Sequence, residues 1–149
     1  MKISEIMTPN PDVIDPNASI REAAKRMRDD NVGALPVCEN GRLIGMVTDR
    51  DIVMRAVAED RTPSQTTVRD VMSERIIYCF DDDDIESAAR CMAEHQIRRV
   101  PVLNRDKRLV GIVSLADLAR TGEEDCEAMA LEGVSEPSNE PRKMTVEIV

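Results

Sequence analysis

The sequence predicts an α+β fold of sandwich-like α/β type: two pseudo-symmetric β-α-β-β-α repeats packed through their sheets. Three observations predict it. The stretch Leu43-Ile-Gly-Met-Val-Thr-Asp-Arg-Asp51, an apolar strand running into the polar start of a helix, returns as Leu109-Val-Gly-Ile-Val-Ser-Leu-Ala-Asp117. Met7, Ile20, Ala23, Ala24, Met27, Pro36 and Val37 recur at a spacing of 65 as Met72, Ile85, Ala88, Ala89, Met92, Pro101 and Val102. After one extra residue in the second turn, Leu43, Gly45, Val47 and Asp51 recur at a spacing of 66 as Leu109, Gly111, Val113 and Asp117. Identical residues on helix faces, in strands and at the strand–helix junctions mark an internal duplication. Within each copy, apolar residues at i, i+3, i+4, i+7 alternate with short β-branched runs, so helices and strands interleave. One such unit leaves a sheet face open, and a second copy is the surface available to cover it.

In the first repeat, residues 1–59, Ile3 to Met7 reads as a short helical lead-in. Thr8 to Pro11, with two prolines, is extended or turned. Val13-Ile14 is a minimal strand, and Asp15-Pro-Asn17 is a turn. Ser19 and Glu22 form a capping box ahead of a helix whose apolar face is Ile20, Ala23, Ala24 and Met27. Asn31-Val-Gly33 ends it. Leu35 to Cys38 is a strand, with Pro36 placing it at an edge or near the strand's start. Asn40-Gly41 is a hairpin turn, and Leu43 to Thr48 is the returning strand. Gly45 allows close approach of another backbone. A helix runs from Asp49 to about Glu59 with Ile52, Val53, Ala56 and Val57 inside.

Residues 60–67, with Pro63, Ser64 and two threonines, read as a linker. The order then restarts over residues 68–121. Val68 to Met72 is the lead-in, Ile76 to Phe80 the short strand region, and Ile85, Ala88, Ala89 and Met92 the helix face. Val100 to Leu103 and Leu109 to Ser114 are the paired strands, and Leu115 to Arg120 is the last helix. Residues 122–149 are expected to be an acidic, mobile tail. Cys126 to Leu131 is expected to add a helical turn or two, and Met144 to Val149 alternates like a strand.

A net charge of −9 argues against nucleic acid and anionic membrane surfaces as partners, since both need clustered Lys and Arg. With no Trp, one Tyr and one Phe, the core must be aliphatic, and nine Met help to fill it. Cys38, Cys79, Cys91 and Cys126 include no C-x-x-C and no zinc-type Cys/His spacing. They read as ordinary thiols of a reducing compartment. No apolar run approaches the ~20 residues of a spanning helix, and no leader-like segment opens the chain, so the expectation is a cytoplasmic protein. Catalytic pairs, glycine-rich phosphate loops and metal clusters are missing from the pattern, which argues against an enzyme.

The chemistry lies at the two strand–helix junctions. Thr48 and Ser114 are hydroxyl residues placed to cap, and Asp51 and Asp117 put a carboxylate in the first turn. Those features alone also fit plain caps and dipole-stabilising carboxylates. The Met-[Thr/Ser] lead-in, Ala-Ala-x-x-Met helix, x-x-Pro-Val strand and Gly-x-Val-[Thr/Ser]-x-x-Asp junction, each present twice, resemble the CBS domain. Two in tandem resemble a Bateman module of the small stand-alone prokaryotic type. The resemblance covers about residues 1–121.

It implies two clefts between the repeats, binding of an adenosine-containing ligand such as AMP, ADP, ATP or S-adenosylmethionine, no required cofactor, and a flat homodimer. It further implies that Asp51 and Asp117 accept from ribose hydroxyls and that Thr48 and Ser114 contact ribose or phosphate. Val13, Ile14, Tyr78 and Cys79 would flank adenine, Asp117 going with the first pair and Asp51 with the second. Arg98 and Arg99, or Gly33 and Ala34 in the other repeat, would contact phosphate, beside Pro36 and Pro101. Arg98 and Arg99 are expected to favour the cleft of Thr48 and Asp51. The function implied is a non-catalytic sensor of an adenine nucleotide. The alternative is a ligand-free module acting through dimerisation or a protein partner.

Overall fold

The computed structural model describes residues 1–137 and is a mixed α+β fold in two compact units. The expected strand over Met144–Val149 lies outside the described residues. Among the described residues, the first unit is Met1–Pro11 together with residues 77–137, and the second is Asp12–Ile76. The units therefore do not follow the sequence repeats: each takes the lead-in of the other copy.

In the first unit β1 (Thr8–Pro9), β6 (Leu109–Ser114), β5 (Arg99–Leu103) and β4 (Cys79–Phe80) form one sheet in that order. The pairings are antiparallel except β4 with β5, which is parallel. In the second unit β2 (Ala34–Glu39) pairs antiparallel with β3 (Arg42–Thr48). Single bridges stand where the first unit has outer strands: Ile14 to Val37, parallel, and Met46 to Ser73, antiparallel. The duplication extends to the anchoring of the lead-ins. Ile3 N–H donates to Asp83 O at 2.9 Å and Ser4 N–H to Asp81 O at 3.0 Å. Their counterparts are Val68 N–H to Ala18 O at 2.8 Å and Arg69 N–H to Pro16 O at 2.9 Å. Residues 60–67, expected as a linker, hold the start of a helix. Ile20 N–H donates to Thr66 O at 2.9 Å, and Thr66 is buried.

The first long helix, α1 (Ile20–Asp30), starts at Ser19, whose hydroxyl accepts from Glu22 N–H at 3.1 Å. The Glu22 carboxylate turns to Arg26 at 3.2 Å, so the reciprocal half of the expected box is not made. Asn31 ends α1 in the left-handed region, φ 53°. The β2–β3 turn has positive φ at both Asn40 and Gly41, as an Asn-Gly hairpin requires. After β3, α2 (Asp49–Ile52) widens into a π-turn over Val53–Val57. That corrects the expected continuous α-helix. The wider turn carries Val53 and Val57 to the surface, 52% and 63% exposed, and leaves Ala56 as its buried residue. A short α3 (Val68–Val71) follows.

The equivalent face of α4 (Ile85–His95) is more deeply buried than that of α1. Ala88 and Ala89 are both covered, whereas Ala24, the counterpart of Ala89, is exposed. The difference lies beyond α5 (Leu115–Ala119), in residues expected to be a mobile tail. They form a helix, α6 (Glu124–Ser135), packed on α4. Gly133 backs onto Ala93 so closely that a Cβ would meet the Ala93 backbone, and Gln96 donates to Gly133 O at 3.3 Å. Ala130 is fully buried there. No helix of the described residues is long and apolar enough to cross a membrane.

Candidate functional site

The junction of β3 and α2 is built by a reciprocal cap. Thr48 is extended, φ −117°, and its hydroxyl accepts from Asp51 N–H at 3.0 Å. Thr48 N–H donates in return to Asp51 Oδ2 at 2.9 Å. Both residues are buried, Asp51 completely. The second carboxylate oxygen, Asp51 Oδ1, is buried and accepts no hydrogen bond. Arg55 Nη1 lies 3.9 Å from it, and that nitrogen donates to Val71 O at 2.9 Å and Met72 O at 3.1 Å. Burial pushes the Asp51 carboxyl above the ordinary range, against the pull of the Thr48 N–H and hydroxyl and of Arg55.

Gly33, Ala34, Pro36, Val13 and Ile14 come to the same unit. Ala34 pairs with Thr48 and Pro36 with Met46. Gly33 O accepts from Asp49 N–H at 2.9 Å, and a Cβ at Gly33 would press on the Asp49 carboxylate. Ile14 N–H donates to Pro36 O at 3.0 Å, and the Val13 carbonyl accepts from Arg26.

The junction of β6 and α5 repeats the cap. Asp117 N–H donates to Ser114 Oγ at 3.1 Å, and Ser114 N–H to Asp117 Oδ2 at 2.8 Å. Here Oδ1 is taken: Arg120 Nη1 donates to it at 3.1 Å. Arg99 pairs with Ser114 and Pro101 with Ile112, while Arg98 O accepts from Leu115 N–H at 2.8 Å. Arg98 is exposed and Arg99 half-buried. In the same unit Tyr78, 37% exposed, makes an edge-on ring contact with Phe80 at 5.5 Å. Cys79 is buried, and the hydrogen bond with the Cys91 thiol together with burial pushes the Cys79 thiol up.

Arg55 and Arg120, the cations beside the two carboxylates, did not emerge from the sequence pattern. Their signal is spacing: four and three residues after Asp51 and Asp117 is one helix face on. The aspartates 81–84 diverge. Asp82 accepts from Arg105 Nη2 at 2.7 Å, Asp83 from Phe80 N–H at 3.1 Å, and Asp84 from Glu86 N–H at 3.0 Å as the cap of α4. Among the described residues no group of three or more His, Cys, Asp or Glu side chains is placed to hold a metal ion.

The sequence matches the family model described as "CBS domain" twice, over residues 3–58 and 68–124. It is 45% identical over 117 residues to the CBS domain-containing protein YhcV of Bacillus subtilis, covering 78% of this chain and 82% of the relative. Hypoxic response protein 1 of Mycobacterium tuberculosis is 39% identical over 117 residues, covering 78% and 81% of the two chains. A crystal structure of Hypoxic Response Protein I with two coordinated zinc ions superposes with a TM-score of 0.75 at 38% identity, covering 81% of this chain and 98% of the other. CBSX2 in complex with AMP superposes with a TM-score of 0.72 at 27% identity, covering 83% and 97%.

Proposed function

The chain belongs to the CBS-domain family, as two copies in tandem, and on that footing we propose that it is a non-catalytic regulatory module that binds an adenosine-containing ligand at its strand–helix junctions. One observation carries the reading. Asp51 holds a buried carboxylate oxygen with no donor, a state that costs about 1–3 kcal/mol until a partner is supplied. A ribose hydroxyl is a donor of the right kind. AMP in the CBSX2 structure supports the ligand class. The adenine contacts of Val13, Ile14, Tyr78 and Cys79 belong to the same proposal, as do the phosphate contacts of Arg98 and Arg99 with Gly33, Ala34, Pro36 and Pro101 nearby. So does a homodimer, for which the exposed Val53 and Val57 offer apolar surface.

Native mass spectrometry of freshly purified protein tests the reading. Retained adenosine-containing mass is expected, displaced by added AMP. A stable complex with another protein that forms without nucleotide and ignores it would favour the partner-binding alternative. Turnover of ATP or AMP that a junction mutation abolishes would overturn the non-catalytic role.

A further inference from the structure

The buried thiol of Cys79 and the half-buried thiol of Cys91 are hydrogen-bonded to each other. Cys79 lies in β4, the end strand of its sheet, and Cys91 lies in α4, which packs on β4. The first repeat gives independent geometry for the same two positions. Their counterparts, 65 residues earlier, are Ile14 and Arg26. There the Arg26 guanidinium reaches from α1 to the Val13 carbonyl, next to Ile14. The helix position therefore overlies the short strand segment in both copies, and only in the second are both positions cysteine. The other cysteines lie elsewhere, Cys38 in β2 of the other unit and Cys126 in α6.

We propose that Cys79 and Cys91 are a redox-modification site, which a peroxide closes into a disulfide and a dithiol reopens. The adenosine reading has no part in it. The two thiols are not equivalent. Cys91 accepts the hydrogen bond from Cys79, which holds it below the usual thiol range, while the same bond and burial hold Cys79 above it. Cys91 is also the one of the pair that keeps surface open to solvent. The thiolate is the nucleophile, so reaction with a peroxide starts at Cys91. Its sulfur attacks the peroxide, an S–O bond forms as the O–O bond breaks, and the departing hydroxide takes up the proton that Cys91 released and leaves as water. The Cys79 sulfur then attacks that of Cys91: the S–S bond forms, the S–O bond breaks, and hydroxide leaves as water with the Cys79 proton. The thiol pair gives up two electrons and the peroxide becomes two waters. Contact between the thiols puts the second nucleophile in place beforehand, so cross-linking precedes further oxidation of Cys91 to the sulfinic acid. The disulfide ties the end strand of the sheet to the middle of α4, and thiol–disulfide exchange with a dithiol releases it.

Hydrogen peroxide added to the full chain, followed by unfolding, iodoacetamide blocking, proteolysis and mass spectrometry, tests this. The expected product is an intramolecular Cys79–Cys91 cross-link, lighter by two hydrogens, reversed by dithiothreitol and formed before Cys38 or Cys126 is modified. Cys79→Ser should instead leave Cys91 as a sulfenic acid that dimedone labels. Cys91→Ser should leave Cys79 reduced at the same peroxide dose. The double variant Cys38→Ser, Cys126→Ser should cross-link as the wild type does, which keeps the test decisive should Cys79→Ser fold poorly. Four thiols still open to iodoacetamide, Cys91 oxidised to the sulfinic acid without a cross-link, or a first cross-link that includes Cys38 or Cys126 overturns the inference.

Discussion

Asp51 meets two opposing demands. Its Oδ2 caps a helix with Thr48, which favours the ionised carboxylate, while complete burial and an unpartnered Oδ1 favour the protonated form. Burial wins, and the pKa is raised from the ordinary 3.8. A raised carboxyl pKa means that the folded state holds the proton more tightly than the unfolded chain. Its contribution to stability is full below 3.8 and is lost as pH rises through the folded value. Asp51→Asn removes that loss while leaving an oxygen for the Thr48 N–H. Denaturant melts across pH should therefore show the variant gaining on the wild type as pH rises to neutral, while it loses AMP binding. A stability difference independent of pH would contradict the burial argument. At neutral pH the native aspartate thus costs stability. Its position was legible from Gly-x-Val-[Thr/Ser]-x-x-Asp, but the orphaned oxygen was not, because the sequence does not say which of several nearby arginines turns toward a carboxylate.

Elements that follow local rules were legible, and those decided by distant neighbours were not. Ser19, Thr48 and Ser114 cap as their residue types dictate, and Asn40-Gly41 turns as its positive φ values require. Within the π-turn after α2, Arg55 reaches the carbonyls of Val71 and Met72, a contact that periodicity cannot reveal, and Val53 and Val57 looked like core. The helix α6 was hidden for a similar reason: it is acidic and weakly amphipathic, and it is held by the close approach of Gly133 to Ala93. The repeated glycines of the returning strands look alike in sequence yet differ in what they face. A Cβ at Gly45 would strike the backbone carbonyl of Ser73, within the paired Met46–Ser73 bridge. At Gly111 its nearest neighbour is the flexible end of Met7. Gly45→Ala should therefore cost about 1–3 kcal/mol by overpacking, and Gly111→Ala less. Urea unfolding of the two variants checks the order, and equal losses would show that the Ser73 backbone yields.

At the scale of the whole chain, duplication and exchange explain the fold together. Each copy sends its lead-in to the unit built on the other, with matching hydrogen bonds at Ile3 and Val68 and at Ser4 and Arg69. The repeat was readable from spacing. The exchange was not, because a lead-in of the same pattern fits either copy equally well. The central claim is that an adenosine-containing ligand supplies the donor that Asp51 lacks. A thermal-shift series with AMP, ADP, ATP, S-adenosylmethionine and NAD, on the wild type and Asp51→Asn, tests it most directly. A ligand at 100 times its Kd adds about 2.7 kcal/mol of stability. The account predicts a clear rise in Tm with at least one of these ligands, lost in Asp51→Asn. No shift with any of them, or a shift that survives Asp51→Asn, would contradict it.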